Sequence, residues 1–198
     1  MNLNTKDKIN NRYITVVSGL PRSGTSMMSM MLEAGGMTVL TDHIRTADND
    51  NPKGYYEFER VKKLPKGDTE WMEEARGKAV KIISALLEHL PDKYEYKIVF
   101  MHRKIEEIVK SQNTMLKNSA KPANTDDTII AELLMKHLKS VRDWLDKQNN
   151  ITVLDVDYNQ LIVNPNPFLS EINEFLDFTL PIEKMKQAID LKLYRNRI

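Results

Sequence analysis

Apolar and polar positions along the chain fall into blocks whose period switches between that of a strand and that of a helix. Tyr13 to Ser18 reads Tyr-Ile-Thr-Val-Val-Ser, a β-branched run that follows a polar tail, Met1 to Asn11, and ends at Gly19. Such a run predicts a strand buried on both faces. Past Gly24, Met27, Met30, Met31 and Ala34 recur at helical spacing, and Gly35-Gly36 supplies the left-handed stop expected after a helix C-terminus. These methionines read as core, since an unbranched thioether fills irregular gaps. Ala79 to Ser84 and Tyr96 to Met101 predict two further strands, separated by a short helix around Leu86 to Leu90 and the turn Pro91-Asp92. Ile105, Ile108, Val109, Gln112 and Leu116 mark one face of a helix. Ser119 to Asp126 is polar and predicts a surface loop, after which Ile130, Leu133, Leu134, Leu138, Val141 and Leu145 form the apolar stripe of a long helix. A strand from Ile151 to Val156 and helices near Phe168 to Leu176 and Ile182 to Ala188 follow. Thr38 to Gly67 has no clear period. Its polar residues, the turn Asn51-Pro52-Lys53-Gly54 and the cluster Tyr55-Tyr56-Glu57-Phe58-Glu59 predict an irregular, functional excursion.

Strands alternating with helices imply a parallel sheet whose crossover connections cover both faces. The expected fold is therefore three-layer α/β/α around a central parallel sheet, of the phosphate-loop nucleoside triphosphate hydrolase-like type. At 198 residues the chain suits one domain, 1–198, with 1–11 as a polar tail. Lys plus Arg number 29 against 28 Asp plus Glu, so the net charge of +1 creates no field for nucleic acid or an acidic membrane, and any anion site must be local. No apolar run approaches the ~18 residues of a spanning helix, and the first residues are polar where a secretion signal would be apolar. A cytoplasmic protein is expected. The absence of cysteine removes disulfides and thiolate chemistry, and His43, His89, His102 and His137 lack metal-ligand spacing, so no metal site is expected.

The candidate chemistry lies at the end of the first strand. Gly19-Leu20-Pro21-Arg22-Ser23-Gly24-Thr25-Ser26 has the two-glycine spacing of a loop whose backbone N–H groups cradle a phosphate at a helix N-terminus. A nucleoside triphosphate loop places Lys after the second glycine, followed by a magnesium-binding hydroxyl. Here Gly24 is followed by Thr25 and Ser26, and the cation is Arg22, a planar fork suited to bidentate contact with phosphate or sulfate. The strand Tyr96 to Met101 leads into His102-Arg103 and not into a carboxylate that would organise magnesium. Metal-free anion chemistry fits these residues best.

Val16 to Ser26, with Pro21-Arg22-Ser23-Gly24-Thr25, resembles the loop by which sulfotransferases bind the phosphosulfate of 3′-phosphoadenosine 5′-phosphosulfate, PAPS. That family's second mark is an Arg closing a strand and a Ser eight residues later; Arg103 and Ser111 stand in those places. Asn51 to Glu57 is similar to an acceptor-side segment of bacterial relatives. Asp157-Tyr158-Asn159-Gln160-Leu161, with Pro165 and Phe175-Leu176, is similar to the family's later strand-to-helix passage. A departure lies at the C-terminus, where Tyr194-Arg195-Asn196-Arg197 replaces a long glycine-rich loop with a Trp. The resemblance implies a metal-independent transfer of a sulfuryl group from PAPS to a hydroxyl or amine, leaving adenosine 3′,5′-bisphosphate. Pro21, Arg22, Ser23, Gly24, Thr25 and Ser26 would hold the phosphosulfate end, and Arg103 and Ser111 the 3′-phosphate. It also implies an acidic base about twenty residues past the loop's cation; Asp42 stands twenty residues after Arg22, with His43 and Glu57 as rivals. A magnesium-dependent, kinase-like phosphotransferase of the same fold and a nucleotide-binding module without turnover are the alternatives.

Overall fold

The computed structural model describes residues 12–42, 44–45, 54–118, 126–191 and 194. In chain order these form β1 (Tyr13–Gly19), α1 (Thr25–Ala34), β2 (Val39–Leu40), 3-10 turns at Glu59–Lys66 and Glu70–Met72, β3 (Ala79–Lys81) and a 3-10 turn at Ser84–His89. β4 (Glu95–His102), α2 (Ile105–Asn118), α3 (Asp127–Leu145) and β5 (Ile151–Asp157) come next, then α4 (Tyr158–Val163), α5 (Pro165–Phe175) and α6 (Ile182–Gln187). The sheet order is β2-β3-β1-β4-β5, and every pairing is parallel. β1 lies in the middle and is buried at all seven positions, which is why its sequence shows no alternation of apolar and polar residues.

The pleat divides the core. Tyr13, Val17, Val99 and Met101 face one layer, where Met28, Met31 and Leu32 of α1 meet Leu161, Leu169, Ile172 and Met185. Ile14, Val16, Ile98 and Phe100 face the other, against Trp71, Leu87, Val141 and Leu145. Of the stripe expected on α1, Met31 is fully buried and Met27, Met30 and Ala34 are partly buried against the same cluster, while Met28, outside that stripe, is fully buried as well. Truncating a residue such as Met31 to Ala would cost roughly 2 to 5 kcal/mol. Gly36, at φ 98°, provides the left-handed stop after α1.

Three elements differ in detail from the sequence pattern. The strand expected over Ala79 to Ser84 ends at Lys81, and the segment beyond turns into 3-10 geometry. The irregular stretch contains the two-residue edge strand β2. On α3 only the C-terminal half, with Leu138, Val141, Trp144 and Leu145, reaches the sheet, so Leu133 is left 60% exposed. No helix among the described residues is long and apolar enough to cross a membrane.

The strand order positions the site. From β1 the chain moves to β2 and β3 on one side, then crosses to β4 and β5 on the other. The segments that follow β1 and β4 therefore diverge at the carboxyl edge, the crevice in which open parallel sheets bind ligands.

Candidate functional site

The loop between β1 and α1 is a sequence of tight turns. Gly19 has φ 141°, Arg22 φ 73° and Gly24 φ 101°, and Ser23 N–H donates to the Leu20 carbonyl at 3.1 Å. Both glycines are required by space as well as by dihedral angle. A Cβ on Gly19 would lie 2.5 Å from Ser23 Oγ and 2.6 Å from the Met101 carbonyl, and one on Gly24 would lie 2.3 Å from Tyr158 Cδ2. Arg22 is held in the left-handed region without that freedom, the kind of local strain that collects at ligand sites. Gly24 caps α1 with no side-chain hydrogen bond, so the positive end of the helix dipole opens onto the loop. Ser23 Oγ is buried and has no hydrogen-bond partner among the described residues. Pro21 is exposed at the loop tip, and Thr25 is buried in the first turn of α1.

β1 and β4 are paired up to Gly19 and Met101, so Arg103 emerges beside the loop. Its Nη1 donates to the Arg22 carbonyl at 3.1 Å, and its Nε to Glu107 Oε2 at 2.8 Å. Arg22 Nε donates in turn to Ser111 Oγ at 2.9 Å, from a side chain on α2 that is almost fully buried. Three of the residues expected to contact a bisphosphate nucleotide are thus linked, Arg103 to the backbone of Arg22 and the side chain of Arg22 to Ser111. Tyr158, the first residue of α4, closes the cluster, with the Arg103 guanidinium 4.7 Å from its ring centre and Gly24 against its edge.

On the other side of β1 stands Lys81, a residue of the predicted strand Ala79 to Ser84. Lys81 ends β3 at the carboxyl edge of the sheet and is 8% exposed. Its Nζ lies 3.4 Å from Ser26 Oγ and 3.8 Å from Glu57 Oε1, and it donates to the Tyr55 carbonyl. Burial pushes its ammonium down to about 8, against the pull of Glu57. Ser26 Oγ donates to the same Tyr55 carbonyl at 3.2 Å, so the segment of Tyr55 and Glu57 lies directly on the loop helix. Glu57 also pairs with Arg45 at 2.7 Å and Lys62 at 3.4 Å.

Asp42 braces this segment. Its Oδ2 accepts from Glu59 N–H at 2.5 Å and its Oδ1 from Ile44 N–H at 3.1 Å. Burial pushes the Asp42 carboxyl up, but those backbone donors outweigh it and hold the group below the usual carboxylate range. His43 and the turn residues 51–53 lie outside the described residues. Lys81, a cation in the run Ala79 to Ser84, is not among the nominated site residues; the end of β3 at Lys81 and its pairing with β1 bring it to the loop. Glu107 and Tyr194 are not among them either, because only the fold brings them to Arg103.

Residues 53–181 match the model of the sulfotransferase family. That span includes Glu57, Lys81, Arg103 and Ser111 and begins after the Gly19 to Ser26 loop. No curated protein matches the chain. Among solved structures the fold is similar to mouse sulfotransferase SULT7A1 complexed with PAP, at 19% identity over 95% of this chain and 67% of that one, with a TM-score of 0.58. It is also similar to sulfotransferase STF1 from Mycobacterium tuberculosis, at 15% identity over 96% and 75% of the two chains and a TM-score of 0.56. The sulfotransferase domain from the curacin biosynthetic pathway gives 12% identity, 90% and 78% coverage and a TM-score of 0.55. At these identities the likeness is one of fold.

Proposed function

The chain belongs to the sulfotransferase family, and we propose that it moves a sulfuryl group from PAPS to a hydroxyl or amine acceptor without a metal ion. The observation that carries this reading is that hydrogen bonds join Arg22 to both Arg103 and Ser111 beside the loop, a grouping of two arginines and a hydroxyl that supports binding of a nucleotide with two phosphates. The loop fits such a ligand in two further respects. Gly19 and Gly24 let the loop turn tightly against Met101 and Tyr158, and the Ser23 hydroxyl has no partner among the described residues.

PAPS, when bound, supplies an activated sulfuryl group on a phosphate that serves as leaving group. Arg22, Ser23 and the loop N–H groups hold the phosphosulfate end. Arg22 also stabilises the charge that grows there in the transition state, where one such donor is worth roughly 10² to 10³ in rate. Arg103 and Ser111 hold the 3′-phosphate and fix the register of the nucleotide. Lys81, joined to the loop through Ser26, adds a buried positive charge on the acceptor side. Since Arg22, Lys81 and Arg103 supply the cations, the site does its work without a divalent metal.

Glu57 is the proton acceptor in this reading. It is the carboxylate linked to the loop through Lys81, whose Nζ lies 3.8 Å from Glu57 Oε1 and 3.4 Å from Ser26 Oγ. Asp42 is instead the brace that fixes residues 57 to 59: its oxygens accept backbone N–H groups of Glu59 and Ile44, whereas the partners of Glu57 are the side chains of Arg45, Lys62 and Lys81, which can turn toward a substrate. The test is transfer of sulfur label from PAPS to a panel of hydroxyl and amine acceptors in the presence of a chelator. Labelled product supports the reading. Failure across the panel, together with phosphate transfer from ATP and magnesium, would move the chain to the phosphotransferases.

A further inference from the structure

Arg103 sits in a cage whose far wall is a residue distant in sequence. Glu107, one helical turn along α2, is fully buried and accepts from Arg103 Nε at 2.8 Å through Oε2. Its other oxygen accepts from Tyr194 OH at 2.7 Å and from Asn159 Nδ2 at 3.0 Å, and Asn159 Nδ2 also donates to Tyr194 OH at 2.7 Å. Asn159 is anchored by its Oδ1, which accepts from Lys104 N–H at 3.3 Å. The rings of Tyr158 and Tyr194 pack edge to face at 5.7 Å, with the Arg103 guanidinium 4.7 Å from one ring centre and 5.5 Å from the other.

This arrangement leaves Arg103 little freedom. Its Nε and Nη1 are committed to Glu107 and to the Arg22 carbonyl, two aromatic rings flank the guanidinium, and Nη2 donates to no protein group among the described residues. A buried carboxylate is stable only when its oxygens are matched by donors. Burial drives the Glu107 carboxyl up, while the Tyr194 hydroxyl, Arg103 and Asn159 bring it below its ordinary range. Without the Tyr194 hydroxyl, Glu107 would have one donor fewer, and Arg103 would have to move toward it to compensate.

We propose that Tyr194, acting through Glu107, is a positioning residue that sets the selectivity of the site for nucleotides bearing a 3′-phosphate. The proposal rests on the reading that Arg103 contacts that phosphate. With Nε and Nη1 committed, Arg103 offers the phosphate chiefly Nη2, and a guanidinium whose plane is fixed before the ligand arrives loses less freedom on binding. The Glu107, Asn159 and Tyr194 triangle fixes it.

The experiment compares calorimetric affinities for adenosine 3′,5′-bisphosphate and adenosine 5′-phosphate in wild type, Arg103→Ala, Tyr194→Phe and Glu107→Gln, with thermal midpoints recorded for each. Tyr194→Phe keeps the ring and removes only the hydroxyl, so it carries the test if Glu107→Gln does not fold. We expect Arg103→Ala to weaken the bisphosphate at least ten-fold and to leave the monophosphate nearly unchanged. Tyr194→Phe should weaken the bisphosphate three- to ten-fold with the monophosphate unchanged. Where Glu107→Gln folds, the double variant with Tyr194→Phe should lose less than the product of the single losses, since both act through one path. Arg103→Ala with unaltered discrimination would sink the underlying reading and the proposal with it. If Arg103→Ala abolishes discrimination while Tyr194→Phe behaves as wild type, or weakens both ligands equally, the proposal alone is overturned.

Discussion

Arg103 donates from Nη1 to the backbone carbonyl of Arg22 at 3.1 Å, across 81 residues of sequence. The contact joins the loop after β1 to the end of β4, two adjacent strands of one sheet, so the two cations are set by rigid elements and not by a flexible tip. Arg22 is also the loop's non-glycine residue in the left-handed region, at φ 73°. Its carbonyl is therefore turned toward Arg103 by a conformation that the surrounding structure must enforce.

The division of labour between Glu57 and Asp42 is open to direct measurement. Glu57→Gln keeps the size and polarity of the side chain but cannot accept a proton, so turnover should fall by roughly 10² to 10⁴ while nucleotide affinity holds. Asp42→Asn should cost about ten-fold or less in turnover, because an amide oxygen can still accept one of the two backbone N–H groups. Arg22→Ala should damage affinity and turnover together. Steady-state kinetics with PAPS and an identified acceptor, beside calorimetric binding, distinguish these cases. If Asp42→Asn proves the more damaging carboxylate change, the two roles are exchanged.

Lys81 predicts a pH dependence whose sign follows from its burial. The folded chain releases this proton near pH 8, below the value of about 10.4 for an unfolded lysine. Between those values the unfolded chain holds more protons, so this group makes stability rise with pH across that window. The positive charge offered to an anion is lost in the opposite sense, as pH rises through about 8. Affinity for adenosine 3′,5′-bisphosphate should therefore decline from pH 7 to pH 9 in wild type. Lys81→Met should bind more weakly at pH 7 and show a flatter profile. Parallel profiles for the two proteins would remove Lys81 from the site.

Gly24 separates a backbone cost from a steric one. Gly24→Ala and Gly67→Ala both force alanine into the left-handed region, at φ 101° and φ 81°, a cost of roughly 1 to 2 kcal/mol. Only Gly24 has an obstacle, the Tyr158 ring, whereas a Cβ on Gly67 would meet nothing within 4 Å. Gly24→Ala should lower the thermal midpoint further than Gly67→Ala and abolish nucleotide binding, which Gly67→Ala should leave intact. Equal midpoints and retained binding in both would show that the loop tolerates displacement of Tyr158.

Much of this arrangement was legible in the residues themselves. The buried run Tyr13 to Ser18, the stop at Gly35-Gly36 and the long stripe ending at Leu145 specify strand, helix and helix because each is set by local periodicity. The residues nominated from motif spacing, Arg22, Arg103 and Ser111, do come together. What spacing could not supply is the partner that arrives from elsewhere in the chain. Lys81 belongs to no motif until β3 is placed beside β1, and Glu107 to none until Asn159 and Tyr194 meet it. Leu133 fails in the opposite way, since its periodicity is right but the sheet does not extend beneath that half of α3. Periodicity reports which face of a helix is apolar, and tertiary contact decides how much of that face is buried.

Ligand preference in the absence of metal tests the central claim most directly. Calorimetric titration of the intact chain with adenosine 3′,5′-bisphosphate in the presence of a chelator, beside titration with ATP and magnesium, compares the two chemistries that a phosphate loop can serve. Two guanidinium groups with the hydroxyls of Ser23 and Ser111, holding two phosphate positions, predict that the bisphosphate binds without metal, at least ten-fold more tightly than adenosine 5′-phosphate and more tightly than ATP with magnesium. Binding of ATP only with magnesium, with no measurable affinity for the bisphosphate, would contradict it.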